Sequence, residues 1–399
     1  MANPPAPRTE LIPRFEEQGY SDAAIAERRR WIEERTGANL SLVGATGMNG
    51  ESMRGNVENV IGAAQVPIGI AGPLDLHGEH AQGTFYVPIA TTEGAIVRSY
   101  ERGMVAISRA GGATARVVVD ANQVAPFFRL SHVGDAVDFA REVPSRFDEL
   151  AAAAQSTTRH GRLLDVEARP IGRDVVVRFR FHTADASGMN MIVKAADAAC
   201  RVLAADPRVR GFSMFSGAES EKHASGALFA GGKGKTVVAG ALLPARLVRA
   251  YLHTTVPGMI EIWRSTVLGH LQAGTLGYNG HFANGLAGVF IACGQDVANL
   301  ANAAVGITAF EATDEGDLYV SVTLPSLTVA TGGGGTGLGT GREGLELLGC
   351  AGAGKAKKFA EIVAAMALAG EISMAGALAS GEFVAAHDEY GRNRPAETP

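Results

Sequence analysis

An α+β fold, with a small unit inserted into a larger mixed helix and sheet domain, is what this sequence predicts, and three patterns carry the prediction. Of its 399 residues, 46% are hydrophobic, enough for a sizeable core and for two or three domains. Between Arg116 and about Phe215, half-buried strands alternate with amphipathic helices in one compact block. On either side of it, long apolar runs mix with turns rich in glycine.

Taken in chain order, Ser21 and Asp22 open a charged amphipathic helix that runs through Trp31 and stops near Gly37, in a short N-terminal region. From Glu58 to Pro73, glycine and proline punctuate short apolar runs, which predicts closely packed strands and turns. Thr92 is expected to cap a helix beginning at Glu93, with Ile96, Tyr100, Met104 and Ile107 on one face and Glu93 in the first turn. A strand through Val119 and a single helix from Asp135 to about Leu150 come next. In Val175 to Phe181 the odd positions are apolar while Arg178 and Arg180 face the other way, the pattern of a half-buried strand. A helix opens near Gly188 and continues through Val193 and Cys200.

Leu318 to Leu324 reads as a strand, and Thr331 to Thr340 as a loop very rich in glycine. The apolar segments Phe282 to Phe310 and Ile362 to Ala386 are interrupted by Asn284, Gln295, Asp296, Glu371 and Glu382, which argues against membrane spans and for buried helices. Residues after Arg394 are expected to fray.

Several function classes are disfavoured. The net charge of -5 is mild and the basic residues are scattered, so no stripe is present to neutralise a run of nucleic-acid phosphates. Cys200, Cys293 and Cys350 lie far apart, which fits a reducing cytoplasm better than a disulfide framework or structural zinc. The start, Met-Ala-Asn-Pro-Pro-Ala-Pro, lacks the basic and apolar stretches of a signal peptide, so no export is expected. Gly234-Lys235-Thr236 resembles the end of a P-loop, but Phe229 stands where that loop needs glycine. The run Gly332 to Gly337 satisfies G-x-G-x-x-G, yet no clear βαβ unit with an acidic residue downstream completes a dinucleotide fingerprint. His77 and His80 lack a third ligand, and no metal is expected.

Four stretches, in order, carry a more specific signal. They are Glu58-Asn59-Val60-Ile61-Gly62 with Thr91-Thr92-Glu93-Gly94, then Asp185-Ala186-Ser187-Gly188-Met189-Asn190-Met191, then Gly294-Gln295-Asp296, and finally the glycine run ending in Thr336 with His387 sixteen residues after Glu371. From about residue 55 to Arg394 the chain resembles the hydroxymethylglutaryl-coenzyme A reductase family, in the class that includes eukaryotic and archaeal catalytic domains. The resemblance implies an N-terminal helical region at 1–54 and a large substrate-binding and dimerisation domain at 55–116 and 216–399. It also implies a ferredoxin-like NADP-binding domain inserted at 117–215.

The implied activity is reduction of (S)-3-hydroxy-3-methylglutaryl-CoA to mevalonate with two NADPH, in a homo-oligomer whose active site forms between subunits. Glu93, Lys222, Asp296 and His387 are the implied catalytic set, and chemistry asks for such a set. Each hydride transfer to a thioester or aldehyde leaves an oxyanion that a cation must stabilise, a task for Lys222. Asp296 would hold that ammonium, Glu93 would deliver a proton once burial had raised its pKa, and His387 would protonate the departing coenzyme A thiolate.

For the cofactor the resemblance implies Thr158 and Arg159 at the 2′-phosphate, with Asp185, Ser187, Gly188, Met189, Asn190, Gly333 and Gly334 around the rest. Independently, a strand ending near Thr183 that turns into a helix presents free backbone N–H groups to a pyrophosphate. Ser99, Arg102, Arg116, Ser216, His223 and Asn284 are the implied substrate contacts. Where the family has Asp-Lys-Lys this chain has Glu221-Lys222-His223, Arg264 replaces a displaced basic residue, and Ala63 and Ala218 stand where an aromatic residue and an asparagine are common. A different carboxylated acyl-CoA, or a silent cofactor-binding homologue, stays open as an alternative.

Overall fold

The structure, a computed structural model, describes residues 11–15 and 18–383. The expected fraying after Arg394 and the position of His387 fall outside that range.

Helix α1 (Asp22–Thr36) starts where Ser21 accepts a hydrogen bond from the Ala24 amide and stops at Gly37 in the left-handed conformation, as its caps predict. Only Ala24, Ile25 and Arg28 are buried on it, so its apolar face is narrow. After the short turn α2 (Ser41–Gly44), the chain runs without strands to the hairpin β1 (Ile68–His77) and β2 (Gln82–Ala90). The expected strands before Ile68 are absent among the described residues. Helix α3 (Ile96–Arg109) then buries Ile96, Tyr100, Met104 and Ile107, the predicted face.

Strand β3 (Thr114–Val124) leads into β4 (Phe127–Leu130), α4 (Val133–Glu142) and α5 (Phe147–Gln155). One helix was expected over that last stretch, but Pro144 opens a 3-10 turn at Val143–Arg146 and splits it. Proline has no amide hydrogen and its ring crowds the carbonyl four residues earlier. Strands β5 (Arg162–Ile171) and β6 (Asp174–His182), helix α6 (Met189–Ala204) and β7 (Val209–Ser213) complete this stretch. Along β6, Val175, Val177, Phe179 and Phe181 are buried while Arg178 and Arg180 are not, matching the sequence pattern.

The rest comprises β8 (Gly234–Leu243), α7 (Ala245–Leu252), α8 (Val256–Ala273), α9 (Phe282–Ala292), α10 (Leu300–Ala303), β9 (Ile307–Ala312), β10 (Leu318–Leu327), α11 (Gly339–Leu347) and α12 (Ala356–Ser380). The segment Phe282 to Phe310, expected to be helical, ends as a strand, since Ile307 to Ala312 pairs with β10.

One sheet runs through the molecule in the order β7-β4-β6-β3-β8-β10-β9, with β5 also on β6. Strand β3 joins its two parts: Thr114 to Ala121 pair with β8, and Asn122 to Val124 pair with β6. Two cores result. The smaller gathers Phe128, Phe139, Leu150, Phe179, Phe181, Ile192 and Leu203. The larger surrounds α12, which packs against α3, α9, β8 and β10. Helix α12 is long and apolar enough to cross a membrane, but 83% of its apolar window is buried inside the protein, as expected of a core helix. Each of its fully buried Leu and Ile side chains contributes roughly 1.5–3 kcal/mol.

Candidate active site

A cavity of about 830 Å³ opens between α3 and α12, and Glu93, Ser99, Arg102, His281, Asn284 and Glu382 are among its lining residues. Glu93 precedes α3 instead of lying in its first turn: Thr91 Oγ1 accepts the Glu93 amide at 3.0 Å, and Ala95, at φ +71°, is the residue before the helix. The expected cap at Thr92 is not found: α3 begins without a side-chain cap, and the tight turn closed by Thr91 delays the helix by three residues. The burial expected around Glu93 is not supplied by a single chain, where the residue is exposed.

The cavity wall is held by α12. The Arg102 guanidinium donates to Ser373 Oγ at 3.0 Å, Ser373 O at 2.7 Å and Glu382 Oε2 at 3.2 Å, while Ser99 Oγ lies 3.2 Å from Ser373 Oγ. Burial lowers the Arg102 pKa, and Glu382 opposes that. The other Glu382 oxygen is 2.6 Å from His253 Nδ1, a hydrogen bond that holds the Glu382 carboxyl below the usual range.

Deeper in, Glu371 accepts from the His281 amide at 2.6 Å, from Gly280 at 3.0 Å and from Thr308 Oγ1 at 2.8 Å. Burial raises its pKa against these donors. Tyr100 donates to His281 O at 2.7 Å and stacks on that ring at 4.8 Å. Burial pushes His281 down to about 4, so the ring is neutral at pH 7.

Lys222 and Asp296 are outside this lining. They form a pair of their own, Nζ to Oδ2 2.8 Å, with both side chains about half exposed at 43% and 48%. The hydrogen bond to Asp296 raises the Lys222 pKa, with burial opposing it. Asp296 is placed by the end of α9 and also accepts the Ala298 amide at 3.0 Å. Ser220 and Lys222 have φ +55° and +56°, a region that side chains disfavour. Asn302, fully buried, secures them: its Oδ1 accepts the Lys222 amide at 2.8 Å and its Nδ2 donates to Ser220 O at 2.5 Å and His223 O at 3.1 Å.

Three of the predicted stretches converge beside that pair. Gly294 has φ +62°, and a Cβ there would stand 2.3 Å from the Gly335 carbonyl oxygen, so only glycine permits this contact between the Gly294-Gln295-Asp296 stretch and the glycine run. Gln295 staples the same two segments, donating to Ala330 O at 3.0 Å and accepting from the Ala330 amide at 2.8 Å. The Asp185 backbone carbonyl accepts the Thr331 and Gly332 amides, and its carboxylate accepts Gly354 and Ala356 at 2.7 and 3.1 Å.

Helix α6 begins at Met189 after Gly188, at φ +75°, with no side-chain cap on its first-turn amides. A Cβ at Gly188 would meet Thr183 at 2.7 Å. Free amides at a helix start and a turn without a Cβ suit a pyrophosphate. Asn122 donates to Ser187 O at 2.7 Å and fixes the turn. Asn190 lies in the first turn of α6, while Gly333 and Gly334 adopt φ +80° and +55° in the glycine run. Arg159 is exposed, beside a turn in which Thr158 Oγ1 accepts the His160 and Gly161 amides.

Other expected contacts are turned elsewhere in the single chain. Arg116 donates to His77 O and Ala115 O at 2.9 and 2.7 Å, Ser216 to Ala125 O at 2.7 Å, and Arg264 is ion-paired to Glu261 at 2.7 Å. His223 is exposed, its Nδ1 2.6 Å from Glu221 O. Asn284 faces the Glu93 cavity near the start of α9.

The sequence profile described as hydroxymethylglutaryl-coenzyme A reductase matches residues 24–392. The chain belongs to that family. Among hydroxymethylglutaryl-coenzyme A reductases, the Methanocaldococcus jannaschii enzyme is 42% identical over 380 residues, covering 93% of this chain and 94% of the relative. The Pyrococcus horikoshii enzyme is 41% identical, covering 94% and 93%. A Gossypium hirsutum reductase is 37% identical over 94% of this chain and 61% of its own length. In fold, the chain is similar to the class II reductase of Streptococcus pneumoniae, solved bound to NADPH in open conformations, with a TM-score of 0.68 at 21% identity, covering 90% of this chain and 98% of that one.

Sequence reasoning missed Asn302, Gln295 as a staple, His281, and Glu361, which is fully buried and accepts the Glu79, His80 and Ala81 amides at 2.8–3.1 Å. Buried carboxylates in an apolar helix were the available signal for Glu361 and Glu371, because such a charge persists only where donors converge on it.

Proposed function

We propose that this reductase-family chain converts (S)-3-hydroxy-3-methylglutaryl-CoA to mevalonate, consuming two NADPH and releasing coenzyme A. The observation that carries the reading is the 2.8 Å Lys222–Asp296 pair lying where the Gly294-Gln295-Asp296 stretch, the glycine run and the Asp185–Asn190 turn meet. When bound, NADPH supplies the hydride. Lys222 Nζ donates a hydrogen bond to the substrate oxyanion, and Asp296 keeps the ammonium charged and aimed. Glu93, from its cavity, supplies the proton that completes the alcohol, and His387 protonates the thiolate.

Met189 and Asn190 amides receive the cofactor pyrophosphate and Arg159 its 2′-phosphate. Asp185, already engaged at the start of α12, acts by fixing that turn. Ser99, Arg102 and Asn284 serve the acyl-CoA from the cavity, while Arg116, Ser216 and His223, which lie outside that lining, contact it across the subunit interface of a homo-oligomer. Residues 117–215 are the inserted cofactor domain. Its antiparallel order β7-β4-β6-β5, with helices after β4 and β6, supports a ferredoxin-like unit. The described residues before 55 belong to a helical N-terminal region, and 55–116 with the described residues from 216 on belong to the substrate and dimerisation domain. A homodimer with the site between subunits accounts for Lys222 lying outside the cavity that Glu93 lines in one chain, and a cytoplasmic setting belongs to the same reading.

A second reading, a different carboxylated acyl-CoA, draws on Glu221-Lys222-His223: a permanent charge is missing on the acyl side, and an unpartnered carboxylate there is costly. Purified protein with NADPH and hydroxymethylglutaryl-CoA decides between them. Mevalonate formed with two NADPH oxidised per molecule supports the first; oxidation only with other thioesters supports the second. Silence with every thioester refutes both.

A further inference from the structure

We propose that Lys233 is a positioning residue, tying the turn at the start of α6 to the loop that carries Lys222 so that cofactor and oxyanion cation stay aligned. The inference rests on the roles given above to that turn and to Lys222. No stretch of the reductase-family signature includes it; the sequence drew attention only to its neighbours, in a rejected phosphate-loop pattern.

Lys233 is fully buried, just before β8. Its ammonium is ion-paired with the Glu221 carboxylate, donates to Gln123 O at 3.3 Å and lies 3.3 Å from Met189 Sδ. One buried cation therefore touches three elements: the end of β3, the first residue of α6, and the residue preceding Lys222. Burial lowers its pKa and Glu221 opposes that, so the ammonium depends on its carboxylate partner. Glu219, also buried, has an Oε2 without a hydrogen-bond partner among the described residues, and its backbone carbonyl accepts from Gln123 Nε2 at 3.3 Å.

The loop needs such ties. With Ser220 and Lys222 both left-handed, the backbone from 219 to 223 relies on contacts from outside as well as on its own bond from the His223 amide to Ser220 O at 3.3 Å. Asn302 grips it from the side of Asp296, and Lys233 grips it from the side of α6. Without Lys233 the first grip persists, so Lys222 keeps its partner Asp296 but loses its register with the Met189 turn. A misplacement of this kind slows hydride transfer without removing either ligand site.

The test uses the full-length enzyme with hydroxymethylglutaryl-CoA and with NADPH or its 4-deuterated form. Lys233→Met is expected to lower kcat about 100-fold with a raised deuterium isotope effect, while the NADPH dissociation constant changes less than about 3-fold. Lys233→Arg is expected to restore most of the rate. Glu221→Gln and the double variant complete a cycle, in which the double variant removes both charges of the buried pair and leaves neither unpaired. If Lys233 acts through Glu221, the double variant loses no more than Lys233→Met alone.

Additive losses overturn the proposal, as does a Lys233→Met enzyme with wild-type kcat, or one whose defect lies wholly in NADPH affinity or melting temperature. Wild-type protein inert with hydroxymethylglutaryl-CoA would instead sink the functional reading beneath it.

Discussion

The Glu93 cavity and the Lys222 ledge are built in opposite ways. The cavity is walled by a buried helix whose Glu371 and Ser373 satisfy the groups around it, whereas Lys222 and Asp296 stand half exposed on a loop held by a few specific bonds. The walled half offers shape, with its Arg102 guanidinium already engaged by Ser373 and Glu382, and the exposed half offers the Lys222 ammonium without walls. In water that ammonium would contribute little; excluded from solvent it is worth far more. The difference teaches that the exposed pair gains its full electrostatic strength only when solvent is excluded from it, and the proposed dimer is one way to exclude it.

The largest effect expected is on the ledge. Lys222→Ala should lower kcat by about 100- to 1,000-fold or more while NADPH binding persists; unchanged turnover in a cofactor oxidation assay would remove Lys222 from the chemistry. Next comes the division between subunits. Glu93→Gln and Lys222→Ala, each inactive alone, should regain about a quarter of wild-type activity when refolded as a mixture, since half the dimers are mixed and one of their two sites is intact. No regain would place both groups in one subunit's site.

On the cavity side, Glu371→Ala leaves three donors unmet and should cost about 3 kcal/mol of stability by denaturant titration. An equal loss from Asp296→Ala would erase the contrast between a built wall and an exposed pair. Smaller is the pH effect on the pair. Asp296 raises the Lys222 pKa, so any stability it adds is present below the lysine's ordinary pKa and lost as pH rises through the raised value. Asp296→Asn should therefore move the alkaline fall in kcat to lower pH.

The last effect belongs to His281 and shows only in acid. Its ring stays neutral in the fold down to about 4, against 6.5 when unfolded, so stability should decline as pH drops through that interval. His281→Phe should flatten that decline in thermal melts across the acid range.

Much of the fold was legible because local rules bind tightly: Ser21 and Gly37 bracket α1, and the alternation along β6 announces its buried face. Of the candidate site, the pairing of Lys222 with Asp296 and the glycine turn before α6 were anticipated. Less legible were the start of α3, shifted by the Thr91 turn, and the break at Pro144, where helical periodicity continues across the proline. Asn302 carries no motif, because its role depends on a loop 80 residues away in sequence.

Residue types, their order and their spacing pointed by themselves to an α+β fold, and the resemblance to a known family supplied the family and the candidate acid, ammonium and carboxylate. These are properties of covalent sequence and of periodicities that act over a few residues. Only the tertiary structure decided that Lys222 lies outside the cavity that Glu93 lines, that Asp185 is taken up at the start of α12, and that a buried lysine touches the start of α6 and the loop before Lys222. Such outcomes arise from which side chains meet across hundreds of residues, and contact at that range is set by packing and desolvation of the whole chain.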